Sequence, residues 1–339
     1  MSCHEDVGEG HAMPQVGFSE SWWNDAEAID KLKKQVEDEP SNAELHYRLA
    51  RLFFSSSDLE TALTEINKAL ELESLNADYS LLKARILHRK GNLNEAISEA
   101  ENAQSLEADD PSFYSFMSEL YLEMDSLKLA EEYLNEANLM AGDWMPVVQA
   151  KARLSMAKGD LDGSIGYAKK ALEQSNMDPS NYYLLGDAYL AAGRLDSAGQ
   201  YIRRGLNLTD NADGSLLTLQ AELLNRMGKT DSAIAVYQSV IGQNRNNKKA
   251  FKELADLLIR KGNFDAAEKT SAEFIRLYPA DTAMYLQQGY CLERLGRLNQ
   301  AQELYVKASV RFPDSKEISE AKDRINGRLT RTYISSPLE

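Results

Sequence analysis

Catalysis needs a base, a nucleophile or a metal, and the residues able to supply one are few and scattered in this chain. His4, His11, His46 and His88 are its histidines; Cys3 and Cys291 are its cysteines. Cys3, His4 and His11 lie close enough to be considered as metal ligands, but their spacing matches no strong zinc motif. A solvated tail is the plainer reading. Gly228-Lys229-Thr230 has the ending of a phosphate-binding loop. That loop needs a glycine where Leu223 stands and a strand before it, so a turn between two helices is expected instead. No Cys or Ser sits in a nucleophile elbow, and no His-Glu-x-x-His pattern occurs. Cys291 reads as core packing rather than as a reactive thiol. The acidic pair Asp109-Asp110 reads as a turn and a helix cap, not as an acid/base couple. The chemistry-bearing residues thus predict no catalytic site, no cofactor and no metal centre.

Composition narrows the remaining classes. The 339 residues carry 38 Lys+Arg against 53 Asp+Glu, a net charge of −15. Phosphates would be repelled over most of such a surface, which argues against nucleic acid. Hydrophobic residues make up 43% of the chain, enough for real burial. No run approaches the ~18 apolar residues of a membrane-spanning helix. A count of only two cysteines excludes a disulfide framework, and they lie too far apart in sequence to suggest a zinc site. With 19 Gly and 8 Pro, the chain is too poor in turn residues for a loop-rich β protein, and the composition leans helical.

The elements that position these residues repeat. Ala50, Ala84, Ser118, Ala152 and Gly186 lie 34 residues apart. Ala62, Ala96, Ala130, Ser164 and Ala198 keep the same step, as do Ala69, Ala103, Ala137, Ala171 and Gly205. The frame slips by one residue and resumes with Ala221, Ala255 and Gly289. Between these small residues apolar side chains recur at three- and four-residue steps, the period of a helix. Gly91, Gly159, Gly193, Gly228, Gly262 and Gly296 fall between two such helices, where a turn needs positive φ. Asp196-Ser197 and Asp231-Ser232 then open the next helix, where acidic and hydroxyl residues suit exposed backbone N–H groups.

This pattern resembles the tetratricopeptide repeat family, whose 34-residue unit is a helix–turn–helix. The resemblance spans eight units over residues 43–315 and implies an all-α fold, a right-handed α-solenoid of stacked helix pairs. Pro279 and Pro313 stand where the family often ends its second helix. Lys83 and Lys151 depart from it, because they occupy a position that is usually apolar; their helices would rotate or their ammonium groups snorkel outward. A helical pair cannot bury its apolar face alone, so neighbours must stack and the ends need caps. Residues 21–42 are expected to form an N-terminal capping helix, and residues 316–339 a C-terminal capping helix and tail. Residues 1–20 show no periodicity and are expected to be disordered.

In this family the first helix of each unit lines a concave groove, mainly through its second, fifth, ninth, twelfth and thirteenth residues. Across eight units these 40 positions carry nine basic and eight acidic residues, so the groove is the least acidic surface of the molecule. The resemblance therefore implies a non-enzymatic scaffold that binds a protein or peptide segment with acidic and apolar residues. The candidate binding residues are Tyr47, Arg51, Phe54, Arg85, His88, Arg89, Arg153, Tyr183, Lys252 and Tyr290. The bland alternative is that these side chains pack against neighbouring helices or stay solvated. Tyr47, Arg51 and Leu82 do not match the carboxylate clamp with which some relatives hold a chaperone tail. A rival reading of another class rests on Ser2-Cys3. If a signal peptide once preceded Met1, Cys3 would be the lipid attachment site of a bacterial envelope lipoprotein acting in assembly or transport. A membrane would then be met only through that anchor; otherwise the chain is cytoplasmic.

Overall fold

The computed structural model describes residues 22–335 apart from 107–108, 210–212 and 246. Among the described residues there are eighteen α-helices and no strand. The chain forms two compact units, residues 1–141 and 142–339.

The first unit contains α1 (Trp22–Asp38), α2 (Ala43–Ser55), α3 (Leu59–Leu72), α4 (Ala77–Lys90), α5 (Leu93–Ser105), α6 (Pro111–Glu123) and α7 (Leu127–Ala141). Helices α2/α3, α4/α5 and α6/α7 pair as hairpins. Local chemistry sets their ends. Asn42, Asp58, Asn76 and Asp110 each accept hydrogen bonds from first-turn N–H groups that have no partner inside the helix. The small residues Ala50, Ala62, Ala69, Ala84, Ala96 and Ala103 have no solvent exposure, which lets paired helices approach closely. Leu32, Leu45, Leu49, Phe53, Ile66, Tyr79 and Ile86 form one core cluster, and Leu87, Phe113, Phe116, Met117 and Leu120 centre a second.

The second unit contains α8 (Met145–Ala157), α9 (Leu161–Gln174), α10 (Pro179–Ala191), α11 (Leu195–Leu208), α12 (Gly214–Arg226), α13 (Thr230–Gln243), α14 (Lys248–Arg260), α15 (Phe264–Leu277), α16 (Thr282–Arg294), α17 (Leu298–Arg311) and α18 (Lys316–Ser335). The one-residue slip in the repeat falls in the connection between Leu208 and Gly214, since the hairpins on either side keep their lengths. Gly186 and Gly289 are sites of close approach. A Cβ on Gly186 would stand 2.9 Å from Ile202 Cγ1, and one on Gly289 would overlap the Tyr305 ring. Helix α18 starts where a ninth repeat would start, packs on α17 and α16, and buries Ile318, Ala321 and Ile325.

The hairpin turn follows one geometry at the fifteenth residue of each repeat. Six glycines take φ between 70° and 81° there. Ser57 (φ 66°) and Asp125 (φ 57°) adopt the same left-handed conformation in the two hairpins without a glycine. Lys83 and Lys151 reach outward from their half-buried positions. The ammonium of Lys83 pairs with Glu99 at 2.6 Å, and that of Lys151 donates to the Gly142 carbonyl at 2.9 Å.

Candidate functional site

The first helices of the three hairpins in the first unit are α2, α4 and α6. Their fifth, ninth, twelfth and thirteenth residues fall on one stripe, because these spacings bring side chains back to one side of a helix. Tyr47 stacks on Tyr79 with ring centroids 4.8 Å apart, and the exposed guanidinium of Arg51 lies 5.6 Å from the Tyr47 ring. Burial, aided by Asp78 and Glu44, raises the Tyr47 phenol above its ordinary pKa against the opposing charge of Arg51.

Arg85 and Arg89 are committed to neighbouring helices. Arg85 donates to the Ser112 hydroxyl at 2.6 Å and carbonyl at 3.2 Å, and covers the Phe116 ring at 4.8 Å. Burial pushes its pKa below the ordinary guanidinium value, opposed by Glu119 and Asp110. Arg89 donates to the Phe54 carbonyl and the Ser57 hydroxyl, each at 2.9 Å, and covers the Phe54 ring. That carbonyl is one of the last of α2, with no partner inside its helix, and a cation there also answers the helix dipole. In the second unit Arg226 repeats the device and donates to the Leu190 carbonyl at 2.9 Å. These arginines join successive repeats, a role that spacing alone did not reveal.

His88 meets Glu123 at 2.7 Å and the edge of Phe116. Burial works to lower its pKa, but the hydrogen bond and charge of Glu123, with Glu119, outweigh it and raise the value above the ordinary one. His46 is buried in the core face of α2, between Glu65 Oε2 at 2.6 Å and the Pro40 carbonyl at 3.1 Å.

In the second unit, Tyr183 on α10 is half-buried beside the charges of Asp187, Lys249, Glu222 and Arg153, and burial raises its pKa. Lys252 on α14 pairs with Asp281 at 2.5 Å, and Tyr290 on α16 accepts from Arg294 at 2.9 Å. At the far end, Glu293 is buried by three donors: Tyr305 at 3.1 Å, Arg324 at 2.8 Å and Arg328 at 2.6 Å. Cys291 has no solvent exposure, and burial with the nearby charge of Glu268 pushes its thiol up to about 11. Among the described residues no group of His, Cys, Asp or Glu could hold a metal ion, and no helix is long and apolar enough to cross a membrane. Cys3, His4 and His11, and with them the lipid-attachment reading, lie outside the described residues.

Comparison with known proteins places the fold. Residues 155–223, 224–285 and 283–315 match tetratricopeptide repeat models. Residues 155–315 are tetratricopeptide repeats. Residues 18–113 of this repeat protein also match the model of the N-terminal acetyltransferase A auxiliary subunit. A 160-residue stretch is 27% identical to mouse tetratricopeptide repeat protein 21A, and it covers 45% of the chain but only 12% of that relative's length. Among solved structures, the chain superposes on the hetero-tetramer APC/C Cut9-Hcn1 with TM-score 0.60 and 17% identity over 88% of its length and 59% of that chain. A tetratricopeptide repeat protein from Parabacteroides merdae gives 0.55 and 17% identity over 70% and 93%. Human IFIT1, solved as a dimer with PPP-AAAA, gives 0.56 and 18% identity over 86% and 69%. At these identities the likeness is one of fold alone, stacked helix pairs.

Proposed function

We propose that this tetratricopeptide repeat protein is a non-enzymatic scaffold whose first unit holds a segment of a partner protein against α2, α4 and α6. The observation that carries this reading is Arg51, an exposed guanidinium lying over the Tyr47–Tyr79 stack. A planar fork beside aromatic surface suits a segment that offers a carboxylate with a large apolar neighbour. Arg85, Arg89, His88 and Phe54 frame that place by holding the helices in register. Arg153, Tyr183, Lys252 and Tyr290 are proposed to offer a second contact region on the other unit. The resemblance of residues 18–113 to an auxiliary subunit is in keeping with a partner-holding role.

The test is titration with a fluorescein-labelled peptide alternating Asp/Glu with Leu/Phe. Arg51→Glu should weaken binding about tenfold and flatten its dependence on salt. Lys34→Glu, an equal charge reversal on the exposed side of α1, should leave binding unchanged. If Arg51→Glu binds as tightly as the wild type, the segment does not lie on this stripe.

A further inference from the structure

The first unit carries a second surface of opposite character, on the side formed by α5, α6 and α7. Three half-buried tyrosines meet there. Tyr121 and Tyr133 stack with centroids 5.4 Å apart and planes at 15°, and Tyr114 lies 6.2 Å from Tyr133. Their hydroxyls all point at acceptors: Tyr121 donates to Glu101 at 3.3 Å, Tyr114 to Asp109 at 2.9 Å and Tyr133 to Gln104 at 3.2 Å. Glu132 and Glu136 complete the rim, and all four carboxylates are exposed.

A phenol that donates a hydrogen bond to a carboxylate fixes its direction without cancelling its charge. Neutralisation would need a cation, and the sequence provides almost none. Residues 93–141 hold twelve Asp and Glu against the single Lys128, a net −11 within a chain of −15; from α4, Lys83 reaches Glu99 and His88 reaches Glu123. Lys128 pairs with Glu132 at 3.6 Å. The carboxylates are spread around the aromatic cluster rather than gathered on one point, and no metal-holding group forms among the described residues. The phenols of all three tyrosines are raised above their ordinary pKa, Tyr121 and Tyr133 chiefly by burial with the charge of Glu101 adding to it, and Tyr114 chiefly by its hydrogen bond to Asp109.

We propose that the tyrosine cluster of α6 and α7, with its rim of Glu101, Asp109, Glu132 and Glu136, docks an arginine-bearing basic segment of a partner protein. A guanidinium plane stacks on a tyrosine face while its fork reaches a carboxylate at the ring's edge, a combination an ammonium cannot match. Charge complementarity selects this occupant, and it is the reverse of the partner proposed for the α2–α4–α6 stripe, so either reading can fail without the other.

The experiment measures fluorescence anisotropy of the full chain with the labelled peptide Gly-Arg-Gly-Leu-Arg-Gly-Arg-Gly and its lysine counterpart, at low and high salt. The arginine peptide should bind about threefold or more tighter than the lysine peptide, and both should weaken with salt. Glu101→Gln with Glu136→Gln keeps side-chain shape and should cost about tenfold in affinity with an unchanged thermal melt. Tyr133→Leu should erase the advantage of arginine over lysine. The control, Glu173→Gln with Glu303→Gln, removes the same charge from exposed positions of the second unit and should change nothing. Equal affinity for the two peptides, or equal losses in the control and the Glu101/Glu136 variant, would show diffuse attraction to an acidic protein and overturn the proposal.

Discussion

Gly289→Ala tests the packing logic of the repeats, because two hairpins solve the same problem differently. In α16/α17, Gly289 faces Tyr305, whose ring occupies the space a Cβ would need and whose hydroxyl reaches Glu293. In α12/α13 the equivalent residues are Ala221 and Tyr237. Both are fully buried, and the Tyr237 hydroxyl has no hydrogen-bond partner. A methyl group at position 289 should therefore displace Tyr305 into an arrangement like that of Tyr237. The lost bond to a buried carboxylate is worth about 1.5–3 kcal/mol. Replacing Gly by Ala inside a helix returns about 1 kcal/mol. The net expectation is a destabilisation of about 0.5–2 kcal/mol, read from urea unfolding followed by circular dichroism. A double-mutant cycle isolates the cause. Tyr305→Phe should be costly in the wild type and nearly neutral beside Gly289→Ala, a coupling of about 1.5 kcal/mol. A more stable Gly289→Ala variant, as helix propensity alone requires, or additive effects in the cycle, would refute the reasoning.

Three further outcomes follow from the same structure. Asp125→Gly relieves a left-handed residue in the α6–α7 turn and should stabilise by about 0.5–1 kcal/mol, seen as a higher urea midpoint; an unchanged or lower midpoint counts against strain at this turn. The folded pKa of His88 is raised, so the stabilisation it gains from Glu123 is fully present below the unfolded histidine value and is lost as pH rises through the folded one. Unfolding midpoints of the wild type and Glu123→Gln should accordingly differ most in mild acid and converge above neutrality, with the His88 titration followed by NMR. Cys291, buried and with its thiol raised to about 11, should react with a maleimide at neutral pH only after denaturant is added.

Much of this molecule is written in its spacing. A 34-residue recurrence of Ala, Ser and Gly is a statement about which positions two helices must share at close range, and it needs no knowledge of where the chain goes next. The all-α fold follows from it, as does the burial of Cys291 and the absence of a phosphate loop at Gly228-Lys229-Thr230, where α12 simply turns into α13. Turns are legible where glycine marks them, but Ser57 and Asp125 take the same left-handed conformation without that mark, since asparagine-like and small polar residues tolerate it at modest cost. What the tertiary structure alone decided is the destination of the long polar side chains. The stripe on α2 and α4 can be drawn from periodicity. That Arg85 is spent on Ser112, 27 residues away, and Arg89 on the Phe54 carbonyl, 35 residues back, cannot. A guanidinium reaches several ångströms from its backbone, and its partner is whichever helix-end carbonyl or hydroxyl the neighbouring repeat brings within range. The same holds for the tyrosines of α6 and α7. Their repeat positions predict packing, while Glu101 and Gln104, the acceptors of Tyr121 and Tyr133, belong to α5 and come within reach only when the hairpins stack.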